Sequence, residues 1–250
     1  LGGSVENWQP NIDAFAEKFR GYALDLPGFG RSDKPDVPYS VPYLAEFIPE
    51  FLAAQGIKKA SVVGNSLGGA IAVHLASAYP DMVEKLVLVD PAGFGTESHI
   101  LLRLISVPSL GEILVRPSRK GTTKVLTALF YDPSVVTKEM VEVGFEIACL
   151  PGYSRSFLAT ARSVLTIRGT KGAFVKSTLE RSRQVRCPTL VIWGKEDSLL
   201  PLEHGYKAVG AIPEARLHLF DACGHCPQIE QAEAFNLTVL PFLRAEENGP

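Results

Sequence analysis

Several things are scarce in this sequence, and each shortage excludes a class of protein. Cysteine occurs four times in 250 residues. That is too few for a disulfide-built scaffold, so a reducing, cytoplasmic setting is expected. No run approaches the roughly 18 apolar residues of a membrane span. The most apolar stretch, Ile100 to Val115, is interrupted by Arg103, Pro108, Gly111 and Glu112. Excess charge is also missing: 25 basic and 27 acidic residues leave a net charge of -2. Nucleic acid is therefore not the expected partner, because such proteins usually carry a strongly basic face. The opening Leu1-Gly2-Gly3-Ser4 lacks a charged region leading into an apolar stretch, so it does not read as a signal peptide. Internal repeats and low-complexity tracts are absent as well.

What remains is ordinary globular material. Hydrophobic residues make up 46% and charged residues 21%, enough to bury a core and unlike a disordered chain. At about 150 residues per domain, the length allows one large domain or two small ones. Short apolar runs bounded by turn residues predict strands at Tyr22–Leu26, Ala60–Gly64, Leu86–Asp90, Thr189–Trp193 and Arg216–Phe220. Near-continuous apolar runs of this kind suit a parallel sheet buried on both faces. Helical periodicity lies between them, at Asn11–Phe19, Ser40–Ala54, Leu67–Tyr79, Leu202–Ala211 and Ile229–Leu243. Pro49 and Pro241 are expected to kink or end their helices. The alternation predicts an α/β fold with a mostly parallel, doubly wound sheet.

One block breaks the alternation. From about Gly93 to Gln184 only helical patterns and loops are found, with no convincing strand. Phe94 to Arg186 holds 14 basic and 7 acidic residues, a net charge of +7, while the remainder has a net charge of -9. The expected organisation is a core of residues 1–93 and 185–250 with a basic helical insertion at 94–184.

Gly64-Asn65-Ser66-Leu67-Gly68 fits G-x-S-x-G between a buried strand and a helix. In that setting a sharp strand-to-helix turn lifts the serine hydroxyl above the sheet edge. Gly64 and Gly68 are expected to keep the turn free of side-chain clashes. The N–H of Leu67, at the positive end of the helix, is a natural oxyanion donor. A serine nucleophile needs a base. His74, His99, His204 and His218 fall within helices, the insertion or mid-strand, and read as structural. His225 follows the last strand in the loop Asp221-Ala222-Cys223-Gly224-His225, at the carboxyl edge where ligands collect in open α/β sheets. Asp197 follows the strand ending at Trp193 and precedes His225 by 28 residues. Position favours it as the acid that orients the histidine, with Glu196 and Asp90 as competitors. The chain order Ser, Asp, His is that of the α/β-hydrolase fold.

The chain as a whole resembles a capped α/β-hydrolase. The residues carrying the likeness are Asp25-Leu26-Pro27-Gly28-Phe29-Gly30-Arg31-Ser32, Gly64-Asn65-Ser66-Leu67-Gly68-Gly69, Trp193-Gly194-Lys195-Glu196-Asp197 and Gly224-His225. The resemblance implies that the insertion is a lid over the site, and that no metal or organic cofactor is needed. Relatives also carry a His-Gly pair just before a segment like Leu1-Gly2-Gly3-Ser4-Val5-Glu6-Asn7-Trp8. By that likeness Leu1 supplies the second oxyanion N–H, and two or three N-terminal strands of the fold are missing. Serine rather than aspartate at the elbow argues against dehalogenase or epoxide hydrolase chemistry.

Two subfamilies compete. In a carboxylesterase, Ser66 attacks an ester and His225 activates the water that releases the acid. Ester hydrolysis of a small molecule is the leading expectation. The alternative is a meta-cleavage-product hydrolase, which splits a carbon–carbon bond in dienoate acids. The Gly-Asn-Ser-Leu-Gly-Gly elbow resembles that group, and a basic lid suits an anionic substrate. Two departures weigh against it. Cys226 stands where such enzymes usually have Trp, and Gly144-Phe145-Glu146 lacks the lid arginine that usually precedes the aromatic. Arg155 or Arg162 could substitute. A ligand-binding receptor on the same scaffold is a further, weaker reading. Cys223-Gly224-His225-Cys226 has the letters of a thiol oxidoreductase motif but sits on the histidine loop. A disulfide there would strain that loop and switch activity off. Cys149 and Cys187 read as buried packing residues.

Overall fold

The computed structural model describes residues 1–245. Residues 246–250, assigned above to the end of the core, lie outside the described residues. In chain order the elements are α1 (Gln9–Ala16), α2 (Val41–Ala54), β1 (Ala60–Asn65), α3 (Leu67–Ala78) and β2 (Val83–Val89). Next come α4 (Ile100–Ile105), α5 (Leu110–Leu114), α6 (Arg119–Thr127), α7 (Lys138–Cys149), α8 (Tyr153–Val164), β3 (Leu165–Thr166), β4 (Gly169–Thr170) and α9 (Gly172–Ser182). The chain then returns to β5 (Thr189–Gly194), α10 (Glu203–Ala211), β6 (Arg216–Phe220), α11 (Pro227–Glu230) and α12 (Ala232–Arg244).

Strands β1, β2, β5 and β6 form one parallel sheet in the order β1-β2-β5-β6. Its middle strands are buried because their residues alternate between two apolar layers. Leu86, Leu88, Val191 and Trp193 pack against Ala72, Val73 and Leu75 of α3 and Ala208 of α10. Val87, Val89, Leu190 and Ile192 face the other way, onto Phe235, Val239 and Leu243 of α12. Each such side chain contributes about 1.5–3 kcal/mol by leaving water, which fixes the strand register. Buried Lys85, on the same face of β2 as Val87 and Val89, donates from Nζ to the carbonyls of Phe242, at 3.1 Å, Leu243, at 2.8 Å, and Ala245. These carbonyls end α12, where a helix has no acceptor partners of its own. Ser40 caps α2, its hydroxyl accepting from the N–H of Tyr43.

The structure corrects three expectations. Residues 22–26 adopt no regular element and join no sheet among the described residues. Asp25 holds the stretch instead, accepting from the N–H groups of Val5 and Arg31. Of the two outcomes expected for Pro49 and Pro241, termination is excluded, since they lie inside α2 and α12. The block between β2 and β5 contains one strand pair, the antiparallel hairpin of β3 and β4, too short to leave an apolar run in the sequence. Cys149 is exposed and Cys187 is half-buried at the rim of the α3 layer, so neither is the fully buried packing residue expected.

Candidate active site

The elbow is built from β1 and α3. Ser66 sits between them at φ 57° and ψ -120°, a strained conformation for a residue with a side chain. Its backbone is locked in place: the Ser66 N–H donates to Val89 O at 2.9 Å, and its carbonyl accepts from Ala92 N–H at 2.9 Å. Gly64 is required, since a Cβ there would lie 2.4 Å from the carbonyl oxygen of Gly68. Gly68 is not, because a Cβ would meet open space. The tightness at the start of α3 comes from Gly69, whose Cβ would lie 2.7 Å from Pro91. Leu67 is the first residue of α3, where the N–H has no acceptor within the helix.

Asp197 and His225 come from the loops after β5 and β6. Nδ1 of His225 lies 2.7 Å from Oδ2 of Asp197, and both side chains are shielded from solvent. The second Asp197 oxygen accepts from the N–H groups of Leu199, at 2.7 Å, and Leu200, at 3.2 Å. The acid is thus held at both oxygens. Asn65, next to Ser66, donates from Nδ2 to the His225 carbonyl at 3.0 Å and joins the elbow to the histidine loop. Ser66 is half-buried and is the accessible member of the three. Among the described residues, Ser66 Oγ makes no hydrogen bond to His225; such contacts often tighten only when substrate binds.

Of the competing acids, Glu196 is spent on the loop backbone, accepting from Cys223 N–H at 2.9 Å. Asp90 is a different matter. It is fully buried at φ 44°, and one oxygen accepts from Gly194 N–H at 3.0 Å. Burial, and then the Asp197 charge, push its carboxyl well above the usual range. One oxygen each of Asp90 and Asp197 and a ring nitrogen of His225 lie within 4.8 Å of one another. The sequence placed Asp90 at the sheet edge but gave no sign that it abuts the orienting acid.

The other histidines sit elsewhere. His74 is buried on α3, its pKa pushed down to about 4 by burial and then by Arg181. His99 caps α4, accepting from Leu101 N–H. His204 meets Glu97 at 3.0 Å, and that hydrogen bond lowers Glu97 to about 2. His218 packs edge-on against Phe220. Both histidine-loop thiols are free and buried, and burial raises the pKa of each. Cys223 joins the Val87 and Val89 layer, and Cys226 Sγ faces Asn65 Oδ1 at 3.9 Å. A buried neutral thiol is a poor partner for exchange, which argues against the disulfide switch.

The segment between α6 and α7 rests directly on the catalytic loops. Leu129 O accepts from His225 N–H at 2.7 Å, and Ala128 O accepts from Ser198 Oγ at 3.0 Å. Glu230 bridges the two parts, accepting from Gly224 N–H at 2.7 Å and Asp132 N–H at 2.8 Å. Sequence reasoning missed Glu230, and only its place five residues after His225 hinted at it. A Cβ on Gly224 would lie 2.6 Å from Leu129 O, so the approach requires glycine. Leu1 packs in the same apolar cluster as Leu67. Beside it, a Cβ on Gly2 would strike Phe157 of α8 at 2.8 Å. Arg155 pairs with Asp36 and donates to Lys34 O, while Arg162 pairs with Glu112 and donates to Ser106 O.

A strained serine elbow, a buried His–Asp pair at the carboxyl edge and a parallel sheet with an inserted helical block define a hydrolase of the α/β class. The chain belongs to the α/β hydrolase fold family, which matches residues 1–232. It is 32% identical over 245 residues to the 2-hydroxy-6-oxo-6-phenylhexa-2,4-dienoate hydrolase of Comamonas testosteroni, covering 97% of this chain and 83% of that protein. The enzyme of the same name from Burkholderia cepacia is 33% identical over 244 residues, covering 96% and 83% of the two chains. Among solved structures, a meta-cleavage product hydrolase from Pseudomonas fluorescens IP01 superposes with a TM-score of 0.80 at 29% identity, covering 97% and 87%. No helix among the described residues is long and apolar enough to cross a membrane.

Proposed function

We propose that the chain hydrolyses the carbon–carbon bond of a 2-hydroxy-6-oxo-dienoate acid. The observation that carries this reading is the extent of the likeness. Relatives named for that substrate match 96–97% of the chain, so both the sheet with its triad and the insertion fall within it. Ser66 is the nucleophile, His225 the base and Asp197 the acid that fixes the imidazole tautomer. Ser66 Oγ attacks the 6-oxo carbonyl as His225 takes its proton. The resulting oxyanion meets the N–H of Leu67, with Leu1 as the second donor we assign. For carbon to leave, the 2-hydroxy-dienol first becomes a ketone by taking a proton at C5. The electron pair of the C5–C6 bond then flows into the conjugated 2-oxo group. The dienolate so formed takes the proton held on His225, which then deprotonates the water that releases the acyl group as a carboxylic acid and returns that proton to Ser66 Oγ. The insertion, residues 94–184, serves as the lid.

Ester hydrolysis by the same triad is the second reading, and one observation favours it. Arg155 and Arg162 are both committed to Asp36, Glu112 and backbone carbonyls, so neither is spare for a substrate carboxylate. The deciding experiment measures loss of the 6-phenyl dienoate chromophore beside a p-nitrophenyl ester series of increasing acyl length. The first reading expects kcat/KM on the dienoate to exceed the best ester by about 100-fold or more, roughly 2.7 kcal/mol of transition-state stabilisation. The reverse ranking assigns an esterase.

A further inference from the structure

Asp90 is left without a task by the triad, yet it occupies the most constrained position near it. Its backbone is held between strands, with the N–H donating to Ile192 O at 2.9 Å. Its φ of 44° is unfavourable for any residue with a Cβ, so the fold tolerates strain to put a carboxyl there. Oδ1 is satisfied by Gly194 N–H. Oδ2 is buried and meets no donor. An anionic oxygen in that state is costly, whereas an O–H group there needs only an acceptor. The acceptor is at hand, because Asp197 lies in the same cluster within 4.8 Å. Two carboxylates cannot both stay charged in a buried pocket where, among the described residues, neither is paired with a lysine or arginine.

We propose that Asp90 is a positioning residue: it keeps its proton and donates it to Asp197, bracing the acid that orients His225. The proton comes from solvent when the chain folds and is not transferred in the reaction. Asp197 is then held from three sides, by the imidazole, by the Leu199 and Leu200 amides, and by Asp90. The other titratable groups facing Asp90 are Glu230, Cys223 and Cys226, and none of them supplies a cation. This rests on the triad assignment, but not on which substrate the triad serves.

The test uses the labelling rate of Ser66 by a fluorophosphonate, which needs no natural substrate. Asp90→Ala removes the brace and is expected to slow labelling by roughly 10- to 100-fold, the scale of a small misplacement of reacting groups. Asp90→Asn offers an amide N–H in place of the acid proton and is expected to restore labelling to within about threefold of the parent. Infrared spectroscopy at neutral pH should show a protonated-carboxyl carbonyl band that Asp90→Asn removes; this readout survives even if Asp90→Ala fails to fold. Three results would overturn the inference: an Asn variant as slow as Ala, no protonated-carboxyl band lost, or labelling that stops on chelation and returns with a divalent cation. Labelling that persists in Ser66→Ala would sink the triad assignment instead, and is read separately.

Discussion

The sheet body and the inserted block are built to different tolerances. In the body, the middle strands β2 and β5 are closed off on both faces, and every catalytic candidate is fixed through backbone. In the block, large apolar side chains stay in water: Ile113, Val125 and Tyr131 are each more than half exposed. Its helices α4 and α5 are six and five residues long, too short to hold themselves together without packing. The contrast implies a division of labour. Under the proposed function, chemistry, which needs sub-ångström placement, falls to the over-determined part. Selection of substrate, which tolerates variation, falls under the same proposal to the loosely specified part. The two meet along a broad seam: residues 128–132 lie on the His225 loop, α9 lies on α3, and α8 packs with Phe29, Tyr39, Leu44 and Leu67.

The sharpest way to break this comparison is to remove chemistry from the body alone. Ser66→Ala should lower turnover by about 10⁴-fold or more on dienoate and ester alike. The melting temperature should hold or rise slightly, since no hydrogen bond of the hydroxyl is lost. Asp197→Asn should cost about 10⁴-fold through the wrong imidazole tautomer. Turnover near the parent level in either variant, measured by single-turnover kinetics, would move the chemistry elsewhere.

The seam comes next. Glu230→Ala strips the acceptor from Gly224 and Asp132 together. A loss of about 1–3 kcal/mol is expected in urea unfolding, with kcat falling because the His225 loop loosens. Unchanged kcat with lowered stability would show that the block only rests on the loop. His74 probes the other half of the seam. Held near pKa 4 in the fold but near 6.5 when unfolded, it makes the unfolded chain bind more protons in that window. Its contribution is present above pH 6.5 and is lost as pH falls towards 4, by about 2–3 kcal/mol at the limit. His74→Gln should flatten that part of the stability profile, as read by urea unfolding at pH 7 and pH 4.5.

The same division governed what could be read from the sequence. Strands β2 and β5 were legible because burial on both faces forces unbroken apolar runs, and the less buried edge strands β1 and β6 because turn residues bound their shorter apolar patterns. Ser66, Asp197 and His225 were legible because each must follow a strand, in a fixed chain order. Tyr22–Leu26 misled because a strand needs a paired neighbour, and composition does not supply one. Asp90 beside Asp197 was not legible, since that contact depends on the register that sets Val89 opposite Ile192. The contacts at residues 128–132 run through that segment's backbone, the carbonyls of Ala128 and Leu129 and the N–H of Asp132, which leaves no trace in side-chain identity. The β3–β4 hairpin was too short to show any period.

The smallest expected effect decides the most about substrate. Arg155 and Arg162 are half or more exposed and one-third exposed, and each is already paired. Surface pairs of this kind are worth about 0–1 kcal/mol, so Arg155→Ala and Arg162→Ala should each cost no more than that in stability. If the block's basic charge serves docking, KM for a dienoate should move by less than about threefold in either variant. If one of them turns to meet the substrate carboxylate, its loss leaves that anion unpaired. KM should then rise by 100-fold or so, with ester hydrolysis untouched. The asymmetry between the two substrates is the useful part. A merely destabilised block would slow both, whereas a lost carboxylate partner can slow only the acid.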